Sequence, residues 1–459
     1  MRTFDFVVCG AGIAGIAAAH EIAVRRRLGR VLIVDPRPPL SLTSDKSTEC
    51  YRNWWPDRTM IDFMNRSIDR LEEWSDASGD RFAMNRNGYA YFTADPATAA
   101  GLESQARRAS ALGAGELRLH HGADDDPAFP GAPYDTLDRR LGGADLVTDR
   151  ARLRATFPFL ADDIVAMLRP RRCGWLAAQQ LGMWLLEECL AAGVERSEGE
   201  VVAIDVEDGA VRGVELRLAS GSRERVACGA FVDAAGPMAA DVARLAGVDL
   251  PLANELHGKV YLDDRARVVP RDLPLMIFCD PVSVGWDDET REALAGDPEL
   301  AYLTRPLPGG VHFRTEGGLH GTMLLLLFTY HLEPGPALFP PRFDPWYPEV
   351  VLRTLARFVP GFSIYLEQEK ERRFVDGGYY CKTPENRILV GPTPVAGLYL
   401  FCGLSGYGIM AAAAGAELLG TLVAGDTPPG YAAEFALARY DDPAYRARLA
   451  AGEFASGQL

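Results

Sequence analysis

The segment Gly10-Ala11-Gly12-Ile13-Ala14-Gly15 constrains this chain more than any other. It fits G-x-G-x-x-G, and its surroundings give the motif meaning. Phe4 to Cys9 is apolar and strand-like, Ile13 to Val24 is Ala-rich and helical, and Val31 to Val34 is a continuous apolar run. Such a run is what a buried parallel strand requires. In a β-α-β unit of this kind Gly10 permits the tight turn, Gly12 lets the backbone approach a pyrophosphate, and Gly15 lets helix and strand pack closely. The helix N-terminus, with Ile13 and Ala14 in its first turn, then faces the phosphates. Asp35 ends the second strand, placed to hold ribose hydroxyls. A Gly-rich structural turn would leave Asp35 unexplained. A dinucleotide is therefore the expected ligand, and the motif alone does not say which.

At 459 residues with 48% apolar composition the chain has material for two packed cores. Its formal charge of −15 repels phosphate backbones and anionic lipid. Neither nucleic acid nor a membrane surface is an expected partner. Gly408 to Val423 is nearly long enough to span a bilayer but is Ala/Gly-rich and carries Glu417, so it reads as a buried helix. The eight cysteines are scattered, without C-x-x-C or metal-ligand spacing. No metal site is expected. Reduced thiols and the lack of a signal-like N-terminus point to the cytoplasm.

Further along, Ile61, Met64, Ile68, Leu71 and Trp74 share one helical face. Residues 82 to 93 look like a hairpin, and 110 to 147 look loop-rich. The acidic run Asp124 to Asp126 reads as solvated surface. Leu176 to Ala192 is helical. Glu200 to Asp205 and Val211 to Leu218 alternate as short strands around Asp208-Gly209. Ala230 to Ala235 is a buried strand. Residues 255 to 333 read as an antiparallel sheet, and Tyr347 to Phe358 as a helix. A last strand, Gly397 to Cys402, runs into a Gly-rich turn and a long helix.

Four ordered segments resemble the D-amino-acid oxidase and sarcosine oxidase superfamily of flavoproteins. They are the N-terminal unit, the loop Thr43 to Arg52, the stretch Phe231-Val232-Asp233-Ala234-Ala235-Gly236-Pro237, and the pair Thr383 to Gly391 and Gly403-Leu404-Ser405-Gly406-Tyr407-Gly408. The family's versions of the last three read as a Ser/Thr-rich loop around FAD, V-x-A-A-G-P, and T-P-D-x-x-P-x-I-G with G-x-S-G-H-G. The resemblance implies FAD as cofactor. It assigns Ser44, Ser47 and Thr48, then Ala235 and Gly236, to the flavin nucleotide. Gly403, Ser405, Gly406, Tyr407, Gly408 and Ile409 follow, and Val202 lies on the strand that holds the adenine. Backbone N–H groups before the last helix suit the negative charge that reduction gives the flavin ring. The sequence lacks a C-x-x-x-x-C after the first unit, a G-D motif where the late strand meets its helix, and a second G-x-G-x-x-G. Disulfide reductases, aromatic hydroxylases and an NAD(P)H domain are thereby disfavoured.

The chain departs from the family at the substrate. Tyr407 stands for the motif histidine, and Met410 for a lysine that clamps a carboxylate. The strand expected to carry a lysine for oxygen, Leu324 to His331, is apolar until Tyr330. Arg52 matches a family arginine and is the expected anion-binding group. Lys259, two residues from His257 on one strand face, offers a substitute lysine, with a surface lysine the plainer expectation. Tyr261, Arg314, Tyr330, His331, Tyr379 and Tyr407 complete the pocket expectations. Cys50 occupies a position where some relatives attach flavin covalently, and an inert buried thiol is expected instead.

The expected fold class is α/β, α+β overall, of the glutathione-reductase-2-like kind. A Rossmann-type FAD-binding domain (residues 1–80, 150–250 and 370–459) interleaves with an antiparallel-sheet substrate domain (81–149 and 251–369). The expected activity is oxidation of a C–N bond in a small amine or amino-acid-like substrate, with oxygen or a redox partner as electron acceptor. A dehydrogenase serving a quinone or an electron-transfer flavoprotein is one alternative. A non-enzymatic flavin-binding assembly protein is the other. Oligomeric state is left open by the sequence.

Overall fold

The computed structural model describes residues 2–129, 131, 134–330, 332–367 and 373–454. The N-terminal unit forms as its pattern requires. Strand β1 (Arg2–Cys9) leads through the Gly-rich turn into helix α1 (Ile13–Ala19), which a wider helical turn (His20–Arg25) continues before strand β2 (Val31–Val34). Every residue of α1 and β2 is buried, so both need apolar or small side chains all round.

An eight-stranded sheet grows from this unit. Five strands run parallel: Leu398–Cys402, Arg223–Asp233, β1, β2 and Glu195–Ser197. The hairpin Gly199–Glu207 and Ala210–Leu218 extends the sheet antiparallel beside Arg223–Asp233. Leu389–Pro392 closes the other branch, antiparallel to Leu398–Cys402. The helix Arg58–Ser78 buries Ile61, Met64, Ile68, Leu71 and Trp74 in one core with α1 and the long helix Gly408–Ala424. Glu417 on that helix bonds Arg66 at 2.6 Å and Arg25 at 3.0 Å. These partners explain a carboxylate on an otherwise apolar helix. No helix among the described residues is long and apolar enough to cross a membrane.

The second sheet has nine strands and is mostly antiparallel. Two pairings are parallel: Leu275–Phe278 with Tyr89–Thr93, and Leu117–His120 with Ala144–Val147. The helix Tyr347–Phe358 packs across it, with Phe358 stacked on Phe278 at 4.5 Å. Ala166–Pro170 and Arg373–Lys382 are strands of this sheet, although the sequence division groups their segments with the nucleotide unit.

Two local expectations are corrected. Residues 82–93 make one strand, Tyr89–Thr93, not a hairpin. The preceding backbone bonds elsewhere: Asn85 N–H donates to Trp175 O and Gly88 N–H to Cys173 O. The loop-rich stretch 110–147 holds two strands, Leu117–His120 and Ala144–Val147, that complete the sheet edge.

Candidate functional site

Close backbone approaches shape a cleft at the carboxyl ends of the parallel strands, where open α/β sheets bind ligands. Gly10 has φ +110, and a Cβ there would lie 2.4 Å from Ala234 O. A Cβ on Gly15 would lie 1.9 Å from Gly10 O, so this glycine is required by packing. Gly12 is different: the nearest atom to a Cβ there is Ser44 Oγ, at 3.2 Å. That backbone is left bare toward a space, not toward a neighbour.

The space is a solvent-open cleft of about 910 Å³, counting the part open to solvent. Gly10, Gly12, Ile13 and Ala14 line one side of it, and Ala235 and Gly236 another. The loop contributes Ser44 and Ser47, and the last turn contributes Ser405, Gly406, Gly408 and Ile409. Ser44 Oγ accepts the Ile13 N–H at 3.0 Å, which pins the loop to the start of α1. Asp35 lines the cleft and accepts N–H bonds from Ala11 at 2.8 Å and Arg37 at 2.9 Å. A carboxylate has about four acceptor sites, so it retains capacity for hydroxyl donors. Tyr379 lines the cleft as well.

Other expected residues sit elsewhere. Gly15 and Gly403 shape the packing, and Thr48 and Tyr407 face a second cavity. Val202 lies at a register shift between Val201 and Ala203 and does not line the cleft. His331 lies outside the described residues.

The second, inner cavity of about 620 Å³ shares Tyr380 and Gly406 with the cleft. Among its lining residues Arg52 alone carries a permanent charge. Arg52 is 4% exposed, its guanidinium lies 4.6 Å from the Trp55 ring, and Nη1 donates to Tyr91 Oη at 2.7 Å. Aromatic faces and a phenol help hold the cation in place. Met410 and Leu327 line the same cavity, so the two positions expected to lack lysines do face it.

Two imidazoles join them. His257 stacks on Tyr380 at 3.7 Å, and burial lowers its pKa. His312 is brought down to about 4, chiefly by burial, with smaller pushes from His257 and Arg52. Its Nδ1 lies 2.8 Å from Gly310 O. That contact makes Nδ1 the donor and leaves Nε2 an acceptor. Cys50 also lines the cavity; burial pushes its thiol up to about 11, and Sγ donates to Thr48 O at 3.1 Å. It is a protonated thiol at neutral pH.

Lys259 is not on the surface. It is 2% exposed, its Nζ lies 3.4 Å from Ser47 O, and burial lowers its pKa. Arg314 grips the same loop from behind. It donates to Thr48 O at 3.0 Å and pairs with Glu49 at 2.9 Å and Glu316 at 2.7 Å. Tyr330 faces a third cavity, and Tyr261 packs 5.8 Å from Phe374, lining neither the cleft nor the inner cavity. Sequence reasoning missed Trp55, Tyr89, Tyr91, His312 and Tyr380. They come from four separate segments, Tyr89 and Tyr91 sharing one strand, and no spacing signal joins the four.

The family model described as FAD dependent oxidoreductase (DAO) matches residues 5–422, and the chain belongs to this family. The family is FAD-dependent, so the cleft is that of a flavoprotein. Among solved structures, the chain is similar to L-proline dehydrogenase from P. horikoshii. The TM-score is 0.70 at 18% identity, covering 96% of this chain and 98% of that one. Glycine oxidase from Geobacillus kaustophilus gives TM-score 0.70 at 18% identity, over 95% and 99% of the two chains. L-alpha-Glycerophosphate Oxidase from Mycoplasma pneumoniae, with FAD bound, gives 0.66 at 14% identity, over 95% and 99%. At these identities the likeness concerns the fold. No curated protein matches by sequence.

Proposed function

We propose that the protein oxidises the C–N bond of a small amine or amino-acid-like substrate. The carrying observation is the inner cavity: the buried guanidinium of Arg52 lines it together with two imidazoles whose pKa values burial lowers, beside the cofactor cleft. The cleft fits FAD, because Gly12 leaves room that a Cβ would fill and Asp35 retains acceptors. Gly12 and Ser44 would hold the pyrophosphate, and Asp35 the adenosine ribose. When bound, FAD supplies a two-electron acceptor, so a hydride leaves the carbon beside nitrogen and the imine hydrolyses in water.

Arg52 anchors a carboxylate or similar anion and fixes the substrate's orientation. His312 Nε2 accepts a hydrogen bond from the N–H of the neutral amine and so orients it; the amine binds unprotonated, its proton left in water. His257 and His312 add no positive charge above their lowered pKa values, so the reacting amine is not repelled. Trp55, Tyr89 and Tyr380 give the cavity aromatic walls, and the low polarity they bring strengthens polar contacts inside.

For the acceptor, Leu327 in the cavity wall favours a dehydrogenase over an oxidase, whereas Lys259 behind Ser47 favours oxygen. Incubation with a panel of amines, amino acids and hydroxy acids, with a redox dye as acceptor, tests the reading. Amines should yield a carbonyl product and released amine. Turnover of hydroxy acids alone would overturn it. Air replacing the dye identifies an oxidase.

A further inference from the structure

The cleft and the inner cavity are the first two of three chambers in a row. The third, about 810 Å³ and open to solvent, shares His257, Gly258 and Thr329 with the inner cavity. The partition is thin. His257 Nδ1 meets Thr329 Oγ1 at 3.3 Å, and Gly258 contributes no side chain; a Cβ there would lie 2.8 Å from the Tyr347 ring.

The outer chamber is built differently from the inner one. Phe328, Leu332, Phe343 and Tyr347 give it apolar walls. Tyr330 stacks on Tyr347 at 5.9 Å between ring centres. Apart from His257 and Thr329 in the partition, its polar groups are bonded to one another or sit at the rim. The Asp344 carboxylate accepts from Tyr302 Oη at 3.2 Å, Tyr330 Oη at 3.4 Å and the Trp346 N–H at 2.8 Å. Glu333 and Arg342 are exposed at the rim. One wall comes from residues 328–330 and 332–346, between Met323–Leu327 and Tyr347–Phe358; these described residues carry no regular structure of their own. Segments of that kind in compact proteins commonly shape binding sites.

We propose that the outer chamber is both the substrate's entrance and the subsite for its apolar arm. The substrate class is thereby narrowed to amines or amino acids with an extended alkyl or aromatic side chain. Arg52 holds the anionic end in the inner cavity, and the arm passes the His257–Thr329 contact into the outer chamber. This rests on the proposed role of the inner cavity, and adds to it the length and polarity of what binds.

The test titrates the FAD-loaded protein with straight-chain carboxylates from acetate to octanoate and follows the flavin absorbance. Acetate reports on the Arg52 cavity, and the gain with chain length reports on the outer chamber. Each methylene that becomes buried should tighten binding by up to about fourfold. Leu332→Asp, on the outer wall only, should abolish octanoate's advantage while acetate binds as before. Thr329→Phe, which narrows the partition, should cost octanoate more than acetate. Octanoate binding no tighter than acetate, or an advantage that survives both substitutions, would overturn the proposal. Octanoate binding without acetate binding would uphold the outer subsite and refute the Arg52 anchor. Binding of neither acid would refute both.

Discussion

Replacing Gly12 and Gly15 by alanine, one at a time, separates a glycine kept for a ligand from one kept for the fold. The Gly15 methyl would stand 1.9 Å from the carbonyl oxygen of Gly10, a backbone atom that cannot step aside without moving the turn. Overpacking of this kind costs about 1–3 kcal/mol or more. The cost falls on the apo protein and on FAD binding together. The Gly12 methyl would meet only a rotatable hydroxyl, Ser44 Oγ, at 3.2 Å. The apo protein should therefore lose far less thermal stability than Gly15→Ala, since only the Ser44 hydroxyl and its bond from the Ile13 N–H must adjust. The methyl occupies the approach to the pyrophosphate, so the same 1–3 kcal/mol should appear in binding, roughly 5- to 150-fold in Kd. Circular dichroism of the two apo variants and quenching of FAD fluorescence provide the readouts. Undiminished FAD affinity in Gly12→Ala would refute the phosphate assignment. An apo Gly15→Ala as stable as the wild type would refute the packing argument.

Further outcomes are expected. Arg52→Ala should weaken binding of a substrate-like acid by about 1.5–3 kcal/mol, roughly ten- to a hundredfold, while FAD occupancy stays unchanged. Parallel losses of acid and FAD would assign Arg52 to the cofactor. Acid precipitation should release the flavin into the supernatant, because Cys50 is a buried thiol with its pKa pushed up to about 11. Flavin fluorescence on the denatured band, lost in Cys50→Ala, would contradict this. Asp233 is wholly buried, and burial raises its pKa to about 8. The folded state therefore binds a proton that the unfolded state has released between about pH 4 and pH 8, and stability drains away as pH rises through that window. Asp233→Asn lacks this loss, so its advantage over wild type in thermal midpoint should grow from pH 5 to pH 8. Parallel midpoint profiles would refute a neutral Asp233.

The nucleotide half of the molecule was legible because its signals are local. Turn, helix, strand and Asp35 fall within one short stretch, and the apolar face from Ile61 to Trp74 repeats at helical spacing. The segment 82–93 misled because its hydrogen bonds reach to Cys173 and Trp175, far along the chain. Sequence alternation carries no record of such partners. The inner cavity was legible at Thr48, Cys50, Arg52, His257, Leu327, Gly406, Tyr407 and Met410, but not in its aromatic walls. His312 and Tyr380 enter it on strands whose register, not whose composition, turns them inward. Lys259 was misjudged as a surface group for a related reason: its cover, the Ser47 carbonyl, comes from a loop more than two hundred residues earlier.

Anaerobic titration of the purified yellow protein with amines and amino acids addresses the central claim most directly. A long-chain amino acid or amine should bleach the flavin band completely, at a rate that saturates with concentration, and Arg52→Ala should raise the half-saturating concentration for the acidic substrates. A flavin that stays fully oxidised before every amine, yet is reduced by dithionite, would contradict the proposed chemistry and leave a flavin-binding protein that is not an amine oxidoreductase.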